Sequence, residues 1–161
     1  MKQLTQYIQE KLHISKYKKK YNYHPKNINE LIDILEELIQ ERGEDANLND
    51  IDISGMTSLR EVFMNCDCEA RNIDISEWDV SNVIDMYGLF CGQDTFNCNL
   101  SSWDVSNVEN MNSMFSGCYD FKGEGLDKWK VNEDCNILYM FEGCSSLKEY
   151  PTWYKNRGKR K

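Results

Sequence analysis

A repeat constrains this chain more than any other feature. Residues 75–90 read ISEWDVSNVIDMYGLF and residues 100–115 read LSSWDVSNVENMNSMF, an offset of 25 residues that keeps Trp, Asp, Val, Ser, Asn, Val, Met and Phe in register. A more degraded copy, LDKWKVNEDCNILYMFEGC, starts at Leu126, and a shortened copy without the Trp segment, IDISGMTSLREVFMNC, covers 51–66. From Phe141 the run FEGCSSLKEYPTW begins a fifth turn that stops, with Trp153 standing 24 residues after Trp129. Three apolar columns result: Phe63, Phe90, Phe115 and Phe141; Trp78, Trp103 and Trp129; Phe96, Phe121 and Leu147.

A unit of roughly 25 residues cannot enclose its own apolar face, whereas stacked units share one core. The expected fold is therefore α+β: a short, leucine-rich-repeat-like solenoid of about four coils, with short parallel strands, capped by two N-terminal helices. Alternation of apolar and polar residues places strands at 72–76 and 98–101. Val, Met and Phe spaced by three and four over 83–90 and 108–115 predict a turn of helix or a tight irregular return. Gly92, Gly117 and Gly143 follow each column Phe by two and fit the corner.

The first fifty residues follow another pattern. Leu4, Tyr7, Ile8 and Leu12 predict an amphipathic helix over 2–13. A second helix starts after Asn27, with Glu30 in capping-box position, Gly43 as the stop, and Leu31, Ile34, Leu35 and Leu38 on its inner stripe. The expected organisation is a helical, lysine-rich cap over 1–47, repeats over 48–153, and a basic tail over 154–161. At 161 residues the chain is one domain's length, and no run approaches the roughly 18 apolar residues of a membrane span. MKQLTQYIQEKLHIS has no apolar h-region, so no secretory signal is expected and the expected location is cytoplasmic.

Charge is divided into blocks. Residues 1–26 carry a balance of +6, residues 27–147 of −19, and residues 148–161 of +5. So acidic a body repels nucleic-acid backbones, and duplex binding through it is not expected. Tyr17, Tyr21 and Tyr23, interleaved with lysines, are expected to pack the lead-in segment against the first coil.

Seven cysteines invite a disulfide or a metal. Cys66, Cys118 and Cys144 follow their column Phe by three, with Gln93 in the remaining coil, which predicts a ladder of buried thiols. The odd count and absence of a CxxC pair agree with free thiols. A zinc set of Cys66, Cys68, Cys91 and Cys98 has poorer spacing, so no metal and no cofactor are expected. No nucleophile elbow or phosphate loop is present, and His13 and His24 lie away from the acidic coils, so no catalytic residues are assigned.

The repeated polar columns are the candidate partner-binding residues: Asp79, Asn82 and Asp85 in one repeat, Asp104, Asn107 and Asn110 in the next. Ser and Asn in such coils also satisfy turn backbone groups, and Asn82 and Asn107 fit that role well. Asp79 and Asp104 fit it less well, because stacked carboxylates repel one another.

The motif WDVSNVxxMxxxF, with Ile or Leu three residues before Trp, resembles the BspA-like bacterial surface protein repeat, also known from mycoplasma lipoproteins. The resemblance covers about 48–151 and is closest at 73–121; Lys130 and Asp134 depart from it. It implies a leucine-rich-repeat-like, non-enzymatic binding scaffold, often surface-exposed. The expected function is a protein–protein interaction module, monomeric or a small oligomer, whose acidic face meets a basic protein. Its sharpest form is a phage-encoded inhibitor of a nucleic-acid-handling host protein. The alternatives are a surface adhesin and a structural subunit of a larger assembly.

Overall fold

The computed structural model describes residues 21–157. The helix expected over 2–13, Tyr17, His13 and residues 158–161 of the basic tail lie outside the described residues. Among the described residues there are two α-helices, α1 over Ile28–Arg42 and α2 over Thr152–Arg157, with a 3-10 turn at Leu126–Lys128.

The cap of α1 follows from its sequence. Asn27 Oδ1 accepts the Glu30 N–H at 3.0 Å, and Glu30 reaches back to the Lys26 N–H at 2.9 Å. Gly43, at φ 86°, ends the helix and donates to the Ile39 carbonyl. The buried stripe is Leu31, Leu35, Leu38 and Ile39, with Ile34 only half-buried. This stripe joins the same apolar core as the repeats.

The expected solenoid with parallel strands is not what forms. Among the described residues there is no strand and no sheet; 72–76 and 98–101 are turn and irregular backbone, and 83–90 and 108–115 are turns rather than helix. Neighbouring repeats meet at isolated single-residue bridges, Ser58 with Asp85, Asp85 with Asn110, and Asn110 with Asn136. Two local features stop these bridges from growing into strands. Asp85 and Asn110 turn their side-chain oxygens onto the N–H two residues on, closing an Asx turn at the bridge itself. Two residues before each column Phe, the backbone then enters the left-handed region, at Glu61, Gly88, Ser113 and Tyr139 with φ of 55–57°. Extended backbone therefore never lasts more than a few residues.

Backbone bonds tie each repeat to the next, as where Met86, Gly88 and Phe90 donate to the Asn110, Asn112 and Met114 carbonyls, and stacked side chains align the repeats further. Phe63 stacks on Phe90, Phe90 on Phe115 and Phe115 on Phe141, with ring centroids 5.2, 5.6 and 5.7 Å apart. Phe96 and Phe121 form a second stack at 5.8 Å. Each Trp indole N–H donates to a carbonyl one repeat earlier: Trp78 to Leu48, Trp103 to Ile75, Trp129 to Leu100, and Trp153 to Leu126. Trp153 thus completes the Trp column from α2, which covers the last repeat with Tyr154 set edge-on against Phe141. Gly117, at φ 78°, lies 3.5 Å from the Gly92 backbone measured from where a Cβ would sit, so the corner glycines also set the spacing.

Candidate functional site

Polar side chains form columns as regular as the aromatic ones. Asn82 donates its amide to the Ser54 carbonyl at 2.8 Å, and Asn107 to the Ser81 carbonyl at 2.7 Å. These two amides stitch repeat to repeat. Asp85 is equally occupied: Oδ1 accepts the Asn110 amide and the Tyr87 N–H, and Oδ2 lies 3.8 Å from Arg60, whose guanidinium covers the Tyr87 ring. Asp85 and Asn110 are half-buried, less open to a partner than Asp79 and Asp104.

Asp79 and Asp104 are exposed. Each uses Oδ1 to accept from the serine two residues on, Ser81 and Ser106. Asp52 makes the same turn with Ser54 in the first repeat. The asparagine ladder matches Ser54 to Ser81 and Ser81 to Ser106 as neighbours in successive repeats, through bonds to the Ser54 and Ser81 carbonyls, so Asp52, Asp79 and Asp104 form one column of carboxylates. The residue in the same place in the fourth repeat is Lys130. At the other end His24 lies 3.3 Å from Asp52, brought there by the bridge of Tyr23 with Ile51. A cationic or titratable group therefore bounds the acidic stripe at each end.

Exposed carboxylates at the same place in adjacent repeats repel one another, weakly where water screens them. Local hydrogen bonds offset part of this repulsion. Hydrogen bonds from Ser54 hold Asp52 below the usual carboxylate range against the opposing effect of burial, and His24 adds to them. Ser106 does the same for Asp104, with a smaller contribution from Lys130.

Asp52 was not among the residues assigned from sequence. Its signal was present in the repeated Asp-x-Ser spacing at 52–54, 79–81 and 104–106, but the first repeat has Ile51 where the others have Trp.

The cysteines divide by their place in the stack. Cys118 donates its thiol to the Phe90 carbonyl and Cys144 to the Phe115 carbonyl, both at 3.0 Å, while Gln93 does the same for Phe63 at 2.9 Å. Burial pushes the Cys144 thiol up to about 11 and the Cys118 thiol further still. Cys66 has the same column position in the first repeat, with no earlier repeat to donate to, and instead forms a disulfide with Cys68. The expectation of free thiols is corrected at this pair, and with it the zinc set that included both. Among the described residues, no three His, Cys, Asp or Glu side chains are grouped to hold a metal ion. None of the described helices is long and apolar enough to cross a membrane.

A model of the family described as Mycoplasma protein of unknown function, DUF285, matches residues 33–154. No curated protein and no solved structure matches the chain.

Proposed function

Because the chain belongs to the DUF285 family, whose function is itself unknown, we propose its role from the geometry: a non-enzymatic module that binds another protein through its carboxylate column. Asp79 and Asp104 make the contacts, joined by Asp52. Asn82 and Asn107 hold the spacing between them, and Asp85 and Asn110 support the turn beneath. The observation that carries this reading is that Asp79 and Asp104 are both exposed at the same place in neighbouring repeats, each using Oδ1 for its own serine turn. A stack selected for stability alone has no use for that arrangement. A rigid row of carboxylates at fixed spacing suits a basic protein surface, and steers its approach. Occlusion of a nucleic-acid-handling protein is not carried further, because no observation selects that class among basic surfaces.

The test is affinity capture from lysate under nuclease treatment, followed by titration of the purified partner against wild type and an Asp79→Asn/Asp104→Asn variant. Asn keeps the turn-forming oxygen and removes the charge. The expected result is at least a tenfold loss of affinity in the variant, and a wild-type affinity that falls as salt rises. Equal, salt-insensitive binding by both proteins would overturn the reading.

A second reading, a binder displayed at a cell surface, is favoured by one observation. The Cys66–Cys68 disulfide is a bond that persists in oxidising compartments. Labelling of intact cells with an antibody to the repeats separates this location from the cytoplasmic one.

A further inference from the structure

Along one stretch of their seam the second and third repeats are not joined by backbone bonds. Between the first and second repeats this stretch is bonded: Asn72 and Asp74 donate to the Glu44 and Ala46 carbonyls, and Leu48 donates to the Asp74 carbonyl. One repeat on, the same places are Asn97 and Asn99, yet among the described residues no backbone bond joins 72–77 to 97–102. Side chains hold the two ends of the gap instead. At one end Gln93 accepts the Ala70 N–H at 2.9 Å. At the other the Trp103 indole donates to the Ile75 carbonyl at 3.1 Å, and the Ser102 hydroxyl donates to the Ser76 carbonyl. Between these ties the N–H groups of Asn97, Cys98 and Asn99 have no acceptor among the described residues.

An open cleft of about 560 Å³ occupies this gap, and a second of about 600 Å³ adjoins it, the two sharing Asn72 and Asn97. Asn97 spends its side-chain oxygen on the Lys122 N–H and Asn99 on the Ser101 N–H, and neither amide NH2 has an acceptor among the described residues. Asp74 and Glu77 bring carboxylates to the first cleft, whose apolar lining is the buried Ile73 and the half-buried Cys98. The second cleft has Arg71 and Lys122 in its wall, with Asp120. Arg71 lies 3.5 Å from both Glu44 and Glu69, whereas Lys122 has no ion-pair partner among the described residues. No exposed aromatic or aliphatic side chain lines either cleft, so an apolar peptide side chain has little to meet here. A chain of phosphates would meet Asp74 and Glu77 on an acidic body. Sugar rings match the lining, because their hydroxyls donate to carboxylates and accept from amides. One carboxylate at the end of such a chain suits Lys122 and Arg71.

We propose that the two adjoining clefts bind an oligosaccharide, with neutral rings along Asn97 and Asn99 and a single acidic sugar at Arg71 and Lys122. The N–H groups of Asn97, Cys98 and Asn99 supply donors that the seam itself does not use. Asp52, Asp79 and Asp104 line neither cleft, so this site does not depend on the carboxylate column.

The probes are 3′-sialyllactose and glucuronosyl-xylotriose, each set against its neutral parent, lactose or xylotriose, with the full chain observed by amide NMR. An acidic probe is expected to shift the amides of Asn72, Asn97, Cys98, Asn99 and Lys122 with a Kd of about 1 mM or tighter. Its neutral parent is expected to bind roughly tenfold more weakly, having lost the charge-assisted contact. The exposed Lys122→Glu substitution is expected to bring the acidic probe down to the level of its parent while leaving the unfolding midpoint unchanged. Absence of shifts at these amides with both acidic probes at ~10 mM overturns the proposal. Equal binding of an acidic probe and its parent overturns it as well, since the cationic end then selects nothing. Free glucuronate binding as tightly as the longer probes overturns it in favour of an anion contact without a role for the Asn97–Asn99 cleft.

Discussion

The Asn107 amide donates to the Ser81 carbonyl at 2.7 Å, one repeat away, and Asn82 holds Ser54 in the same way. Each asparagine fixes the position of the Asp-x-Ser turn in the repeat before it. Asn107→Ala is expected to cost about 1 kcal/mol, the net worth of one hydrogen bond at a partly solvated site. Asn107→Asp is expected to cost more, because it sets a carboxylate against a carbonyl. Urea unfolding of both variants checks the order.

The carboxylate column makes the opposite prediction. Asp79→Asn/Asp104→Asn removes like-charge repulsion and keeps the turn oxygens, so the variant is expected to be as stable as wild type or slightly more so. The difference should shrink in high salt. Thermal melts at low and high ionic strength measure it. A clear loss of stability would show that the charges themselves hold the turns.

Phe115 lies at the centre of the aromatic core, stacked with Phe90, Phe121 and Phe141. Phe115→Ala is expected to cost about 3–5 kcal/mol, which includes the cavity left between two repeats. Phe115→Leu keeps most of the volume and is expected to cost less than half as much. Denaturant midpoints of the pair separate loss of volume from loss of stacking.

Acid stability centres on Asp50. Arg42 grips it at 2.9 and 3.1 Å, and this pairing holds the Asp50 carboxyl below its usual range against the opposing effect of burial. With the folded value depressed, the stabilisation is complete above the unfolded carboxylate value of about 4. It is lost as pH falls through the lowered folded value. Asp50→Asn is expected to flatten the stability–pH curve below the unfolded carboxylate value of about 4. Asp52 and Asp104, depressed mainly by hydrogen bonds from their serines, leave a residual slope in that variant.

The thiols are expected to differ in reactivity. At pH 8 an alkylating reagent should modify the half-buried Cys91 and Cys98 first, and Cys118 and Cys144 only once the chain unfolds. Cys66 and Cys68 should resist until a reductant is added. Peptide mass spectrometry at timed intervals reads all of these sites together.

The aromatic columns were legible in the sequence because stacking demands the same residue at the same interval, and Phe and Trp are costly to misplace. The α1 cap was legible for a similar reason, since Asn27, Glu30 and Gly43 each act within a few residues of themselves. Strands were misjudged at 72–76 and 98–101 because alternation reports which side chains are buried, and buried alternation also arises from a series of turns. The left-handed backbone at Glu61, Ser113 and Tyr139 has no compositional signal at all; only Gly88 shares that place as a glycine. Asp79 and Asp104 stand out in the sequence by their period alone. Asp52 was hidden by the missing Trp, and the Cys66–Cys68 bond by the fact that the first member of a column answers to a different neighbour than the rest.

The ladder of backbone bonds between successive repeats has a mechanical consequence. Each repeat is tied only to the repeats on either side, so tension on the C-terminal end loads one inter-repeat seam at a time. Once α2 and its Trp153 anchor let go, the seams part in sequence. Each releases about 25 residues, roughly 90 Å of extended chain. Pulled from that end, the protein behaves as a tether that pays out in equal lengths, absorbing work at every step while the repeats behind it stay closed.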